Sequence, residues 1–149
     1  MFSCGCWEFV VRPIDIDEFL DAARKRYPGL TVQVFAAGRE PNLEALEMIA
    51  TQTLEAARSG STLAEKPELD LLLRLAGTRQ IGEAFGRAGY SSGKKRLFLV
   101  AAGKRNSNEL RRIEMWTEKD KRFVKVKRTK MRRTDLGLVE RAALLAARV

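Results

Sequence analysis

Short apolar runs and amphipathic segments alternate along the chain, a pattern typical of a domain built from both strands and helices. Near the amino terminus, Trp7–Arg12 and Thr31–Ala37 have the apolar character of strands, and Pro13 ends the first of them. The continuous apolar run Leu97–Ala102 predicts a strand at the centre of a sheet. The alternating segment Arg122–Lys127 predicts an edge strand with one side facing water.

Apolar residues spaced three and four positions apart predict helices between these strands. Asp15, Asn42 and Ser107 are candidate N-caps. The predicted helices are Asp15–Tyr27, Leu43–Ala57, Pro67–Leu75, Arg79–Ala88, Asn108–Met115 and Leu138–Arg148. We therefore predict a single α/β domain over residues 1–149, with about four strands in a mixed or antiparallel sheet and helices packed on it. The sequence does not give the strand order.

Size and composition fit one globular domain, because 149 residues that are 45% hydrophobic can bury a sizeable core. No apolar stretch approaches the roughly 20 residues that span a bilayer, and residues 1–8 lack the features of a signal peptide. These features lead us to expect a soluble protein of the cytoplasm.

The basic residues are concentrated in the second half of the chain, whereas Asp15–Glu68 is mixed or acidic, and the net charge is +9. The window Lys119–Arg133 holds nine basic residues and one acid, a net charge of +8. A second basic cluster flanks the apolar strand, with Lys94, Lys95 and Arg96 before it and Lys104 and Arg105 after it. Charge gathered in this way favours a polyanion such as nucleic acid. The alternative is an edge strand whose lysines discourage pairing with another chain.

Catalytic and metal-binding patterns are scarce in this sequence. The chain has no histidine, so serine–histidine and cysteine–histidine nucleophile systems are excluded. Cys4 and Cys6 cannot by themselves fill a tetrahedral zinc site, and we expect them to be free thiols. The glycine-rich segment 89–95 departs from a phosphate-binding loop in spacing and in the residue after its lysine. We therefore expect a non-enzymatic protein without cofactor or metal.

One segment is more specific than composition: residues 72–89, which read LLRLAGTRQIGEAFGRAG. The segment contains, in order, a basic residue, a break made by a small residue and a glycine, and a glutamine–isoleucine pair at the predicted start of a helix. This order resembles the small tRNA-binding, kinase-associated subunit of the KEOPS complex. The matching residues are Arg74, Ala76, Gly77, Gln80, Ile81, Ala84 and Phe85.

The resemblance extends more weakly to the rest of the chain. The strand at residues 32–35, the apolar strand at 97–102 and the apolar pattern at 139–145 are similar to the same family. The chain departs from that family in having no histidine, in its Cys4-x-Cys6 pair and in the very basic segment Lys119–Arg133.

The resemblance implies a non-catalytic subunit that binds tRNA, including its single-stranded 3′ CCA end, and the small atypical kinase of the complex. A neighbouring subunit would then install the threonylcarbamoyl group on adenosine. Within this frame we expect residues around the glycine break to meet a phosphate or a base, and the basic cluster to steer the acceptor arm. The expected nucleic-acid-binding residues are Arg74, Gly77, Thr78, Arg79, Gln80, Lys94, Lys95, Arg96, Lys104 and Arg105.

The apolar closing segment is the expected docking site for the kinase, through Leu138, Val139, Leu145 and Val149. These residues could equally complete the core. Likewise, Gln80 could cap its helix while the neighbouring arginines are solvated.

Three other functions remain open on the sequence. The protein could be a free-standing RNA- or ribosome-associated protein, or an adaptor whose basic faces contact acidic proteins. It could also be an enzyme for an acidic substrate that uses Lys94 or Lys104, which would require a lysine of lowered pKa in a pocket.

Overall fold

The computed structural model describes residues 2–36, 43–76, 79–80, 82–84, 90, 95–104 and 108–126. Four strands in this part of the chain form one antiparallel sheet: β1 (Phe2–Val11), β2 (Thr31–Ala36), β3 (Arg96–Lys104) and β4 (Phe123–Val126). Their order across the sheet is β2-β3-β1-β4. The predictions of a central strand at β3 and an edge strand at β4 are therefore confirmed.

Four helices pack on this sheet in the described ranges: α1 (Ile16–Arg26), α2 (Leu43–Ser59), α3 (Pro67–Ala76) and α4 (Glu109–Glu118). Residues 82–84 add a short helical turn within the predicted helix Arg79–Ala88. As predicted, Asp15 caps α1, because its side chain accepts a hydrogen bond from the amide of Glu18 at 3.2 Å. The predicted helix Leu138–Arg148 and the candidate caps Asn42 and Ser107 lie outside the described residues.

The strand β1 begins earlier than predicted, at Phe2 instead of Trp7. Residues 3–6 are small and show no strong apolar alternation, so the sequence gives little sign of a strand there. They are extended because they pair with β3, where Phe2 lies opposite Lys104 and Val10 opposite Arg96. Pairing with a buried neighbour thus overrides a weak local preference.

Helices cover both faces of the sheet, which makes three layers and two cores. One core joins α1 and α4 to the sheet, and the other joins α2 and α3 to the opposite face. Successive residues of β3 alternate between the two cores. Leu97, Leu99 and Ala101 face α1 and α4, and Phe98, Val100 and Ala102 face α2 and α3. Burial on both faces explains why β3 is apolar at every position from 97 to 102.

The two cysteines lie on β1 as free thiols, as expected. Cys6 is fully buried in the core beneath α2 and α3, whereas Cys4 is half-buried beside it. None of the described helices has the length and apolar character needed to cross a bilayer.

Candidate nucleic-acid interface

The arginine of the resembling motif, Arg74, lies in the interior and not at the surface. It is 1% exposed, and its Nε donates a hydrogen bond to Oδ1 of Asp70, one helical turn earlier in α3, at 2.5 Å. The prediction that Arg74 contacts nucleic acid is therefore wrong for this conformation, because a guanidinium that is shielded from water cannot reach a phosphate. The apolar crowding of residues 69–75 was the available signal that this helix is buried on most sides.

The next polar residues of the motif, Arg79 and Gln80, are exposed. The carbonyl of Gln80 accepts a hydrogen bond from the amide of Ala84 at 2.9 Å, which places Gln80 at the start of a helical turn. Ala84 is fully buried in the core shared with α2 and α3. Arg79 and Gln80 therefore lie at the surface, next to a helical turn that the buried Ala84 attaches to the core. Gly77 and Thr78 lie outside the described residues.

The predicted basic cluster around β3 is split between the two ends of that strand. Lys95 and Arg96 are exposed at its beginning, and Lys104 is its last residue. Eight residue steps separate Arg96 from Lys104, which corresponds to about 27 Å along an extended strand. A single phosphate cannot meet both ends, so an RNA would have to span roughly that distance across the surface to contact both. Lys94 and Arg105 lie outside the described residues, as does the side chain of Lys104.

Neighbouring strands bring further basic residues to the Arg96 end of the sheet. The amide of Val11 donates to the carbonyl of Lys95 at 2.7 Å, and the amide of Arg12 donates to the carbonyl of Arg122 at 3.0 Å. The end of β1 and the beginnings of β3 and β4 therefore lie side by side. We call the exposed cations gathered there the basic end of the sheet: Arg12, Lys95, Arg96, Lys121 and Arg122.

Acidic neighbours neutralise only part of the basic end. Arg96 pairs with Glu8, and Arg122 binds Asp120 through two guanidinium nitrogens at 3.0 and 2.8 Å. The second pair lowers the pKa of Asp120, chiefly because the Arg122 side chain donates hydrogen bonds to its carboxylate. The other three cations make no ion pair with a described residue, so their charge is available to an anion.

Within the basic window that starts at Lys119, Lys125 on β4 has a structural role. It pairs with Glu114 and, at 3.3 Å, with Glu118 on α4. These contacts raise the pKa of Lys125, with the hydrogen bond to Glu114 as the largest cause. These ion pairs therefore join the edge strand β4 to α4. The structure describes the basic window only as far as Val126.

The expected binding residues left out three members of the basic end: Arg12, Lys121 and Arg122. Arg12 is a single cation at the end of β1, so nothing local marks it as part of a cluster, whereas Lys121 and Arg122 lie in the basic window Lys119–Arg133. The order of the strands brings all three to the same end of the sheet as Lys95.

No protein-family model and no curated protein matches the chain. Among the described residues, no three or more cysteine or acidic side chains are grouped so that they could hold a metal ion. The predicted kinase-docking residues Leu138, Val139, Leu145 and Val149 lie outside the described ranges.

Proposed function

We propose that the protein is a non-catalytic subunit of the KEOPS complex for threonylcarbamoyl-adenosine modification of tRNA, acting in the cytoplasm. In this role it binds tRNA, including the 3′ CCA end, and the small atypical kinase of the complex. The resemblance carried by residues 72–89 supports the family, and the basic end of the sheet supports the nucleic-acid partner.

The observation that carries the RNA-binding part is the convergence of Arg12, Lys95 and Lys121 without acidic partners among the described residues. Backbone hydrogen bonds of the sheet fix the chain beside two of these three residues, Arg12 and Lys95, and so place their side chains at the same end of the sheet. Clustered exposed cations of this kind bind phosphates, and the affinity falls as salt rises because counterions are released. Arg79 and Gln80 add exposed groups that can hydrogen-bond a base or a phosphate.

The kinase partnership is tested by co-purification of the protein with the atypical kinase of the complex. In this proposal Leu138→Asp abolishes co-purification while the variant still folds, as judged by its circular dichroism. The control is Met48→Asp, because Met48 is an exposed apolar residue outside the closing segment. A folded Leu138→Asp variant that still binds the kinase would remove the closing segment from the docking site.

A second candidate is a free-standing RNA- or ribosome-associated protein, and the burial of Arg74 favours it. Because Arg74 is buried and paired with Asp70, the motif has one residue fewer that could contact an RNA end. The exposed cations of the basic end do not depend on Arg74. This candidate predicts tight RNA binding by the protein alone, indifference to the CCA end and no kinase in the purified material.

A further inference from the structure

A surface groove lies between α1 and α4, on the face of the sheet opposite α2 and α3. Its volume is about 390 Å³, within the rough range of 300–1,000 Å³ in which small-molecule sites fall. It is lined by Arg26, Tyr27, Arg112, Met115, Trp116 and Lys119. None of these residues belongs to the basic end of the sheet or to the motif at 72–89, so the groove is a separate feature.

Among the residues that the structure describes, three cations and no acid line the groove. Arg26, Arg112 and Lys119 are exposed, and none of them makes an ion pair with a residue in the described ranges. Like charges around one concavity repel each other, and an anion that enters relieves that repulsion. The charge of the lining therefore selects a negatively charged ligand.

Helix-end electrostatics explain part of this arrangement but not all of it. Arg26 is the last residue of α1 and Lys119 is the C-cap of α4, where cations interact favourably with the helix dipole. Arg112, by contrast, is the fourth residue of α4, close to the end where the dipole favours acids. Its position is therefore better explained by the groove than by the helix.

The aromatic wall of the groove is fixed in place by its neighbours. Trp116 stacks on Phe19 with ring centroids 5.5 Å apart and meets Tyr27 edge to face at 6.1 Å. The hydroxyl of Tyr27 donates to the carbonyl of Arg112 at 3.2 Å and accepts from Nε of Arg26 at 3.3 Å. Through Tyr27, the positively charged residues Arg26 and Arg112 are therefore connected to the flat aromatic surface of Trp116.

We propose that this groove binds a nucleoside monophosphate unit. The base lies against Trp116 and the exposed Met115, and the phosphate is held by Arg26, Arg112 and Lys119. Stacking on an aromatic side chain beside arginine and lysine is how proteins hold unpaired nucleotides without reading their sequence. The unit comes from a free nucleotide or from an unpaired position in RNA, which share this chemistry. The inference does not depend on the proposed tRNA function, because a free nucleotide satisfies it.

The test uses the fluorescence of Trp116. The chain has two tryptophans, so Trp7→Phe leaves Trp116 as the only one. In that background, titration with adenosine or cytidine monophosphate should quench the emission to saturation. Arg112→Gln should weaken binding roughly tenfold, the loss expected for one hydrogen bond to a charged group. Lys25→Gln is the matched control, since Lys25 is an exposed neighbour of Arg26 that does not line the groove. It should leave binding unchanged.

Two comparisons separate the sources of the ligand. A four-residue RNA oligonucleotide that binds at least about tenfold more tightly than the mononucleotide indicates an unpaired RNA position. Equal affinity indicates a free nucleotide. Either result supports the site, provided that Arg112→Gln weakens it.

Three results would overturn the inference. They are the absence of quenching by any nucleotide, equal losses in Arg112→Gln and Lys25→Gln, and quenching by an oligoglutamate peptide as strong as that by the mononucleotide. The last would mean that the groove takes acidic protein segments. None of these outcomes affects tRNA binding at the basic end, which is measured with separate variants.

Discussion

Asp70 and Arg74 form a buried ion pair on α3, and each side chain also holds the segment that follows α2. Oδ2 of Asp70 accepts a hydrogen bond from the amide of Leu63 at 2.8 Å, and Nη2 of Arg74 donates to the carbonyl of Ser61 at 3.3 Å. The side chains of the pair are 1% and 2% exposed. The motif that resembles a tRNA-binding family therefore contains an arginine whose role in this structure is to join α3 to the 61–63 segment.

Replacing Arg74 with methionine should destabilise the fold by about 3–5 kcal/mol, because the carboxylate of Asp70 would remain buried without its partner. Urea unfolding followed by circular dichroism measures this loss. Arg79→Met is the matched control: its side chain is exposed, so the free energy of unfolding should fall by less than about 1 kcal/mol.

A double variant separates the ion pair from simple packing. Asp70→Leu combined with Arg74→Met removes both charges, and it should be more stable than Arg74→Met alone. If Arg74→Met lowers the free energy of unfolding by less than about 1 kcal/mol, the carboxylate of Asp70 does not stay buried when its partner is removed.

Charge reversal at the basic end should weaken RNA binding. We expect Lys95→Glu with Arg96→Glu to lower the affinity and to reduce the slope of log affinity against log salt by about 0.7–0.9 for each phosphate that the variant no longer binds. Because Arg96 pairs with Glu8, the free energy of unfolding is measured alongside. Lys25→Glu with Lys66→Glu, two exposed lysines outside the basic end, is the control because it changes the net charge by the same amount. If both variants lose equal affinity, net charge and not this site sets the binding.

The Asp120–Arg122 pair predicts a small loss of stability in acid. Its hydrogen bonds hold the pKa of Asp120 below the usual value. A lowered pKa stabilises the folded state above the unfolded pKa of about 3.9, and the contribution disappears as the pH falls through the folded pKa. Solvent screening at this surface position keeps it below about 1 kcal/mol. Asp120→Asn should therefore be less stable than the parent near neutral pH, and the difference should disappear as the pH falls through the folded pKa of Asp120. A difference that persists in acid would argue against this pair as its cause.

The two cysteines should differ in reactivity. Cys6 is 0% exposed and Cys4 is half-buried, and both are free thiols. A thiol-specific reagent should therefore label one site quickly in the native protein and the second only after unfolding. Cys4→Ser should remove the fast phase, and a fast phase that survives this substitution would contradict the placement of Cys6 in the core.

Features set by local pattern could be predicted from the sequence, and features set by strand order could not. The central position of β3 follows from its unbroken apolar run, and the edge position of β4 from its alternating lysines. Arg74 can lie in the interior because it pairs with the carboxylate of Asp70. That pairing could be expected from the sequence only if α3 were already known to be buried. Arg12 comes to the same end of the sheet as Lys95 only because the end of β1 pairs with the beginning of β3, and the beginning of β4 adds Lys121 on the other side of β1. The groove at Trp116 likewise depends on how two helices far apart in the sequence meet.

The most direct test of the proposed function compares binding of the protein to intact tRNA and to the same tRNA lacking its 3′ CCA, across a salt series. Recognition of the end predicts a clear loss of affinity without the CCA at every salt concentration, on top of the phosphate-dependent slope. Equal binding to both RNAs with a steep salt slope would contradict it and would leave a general phosphate-binding protein.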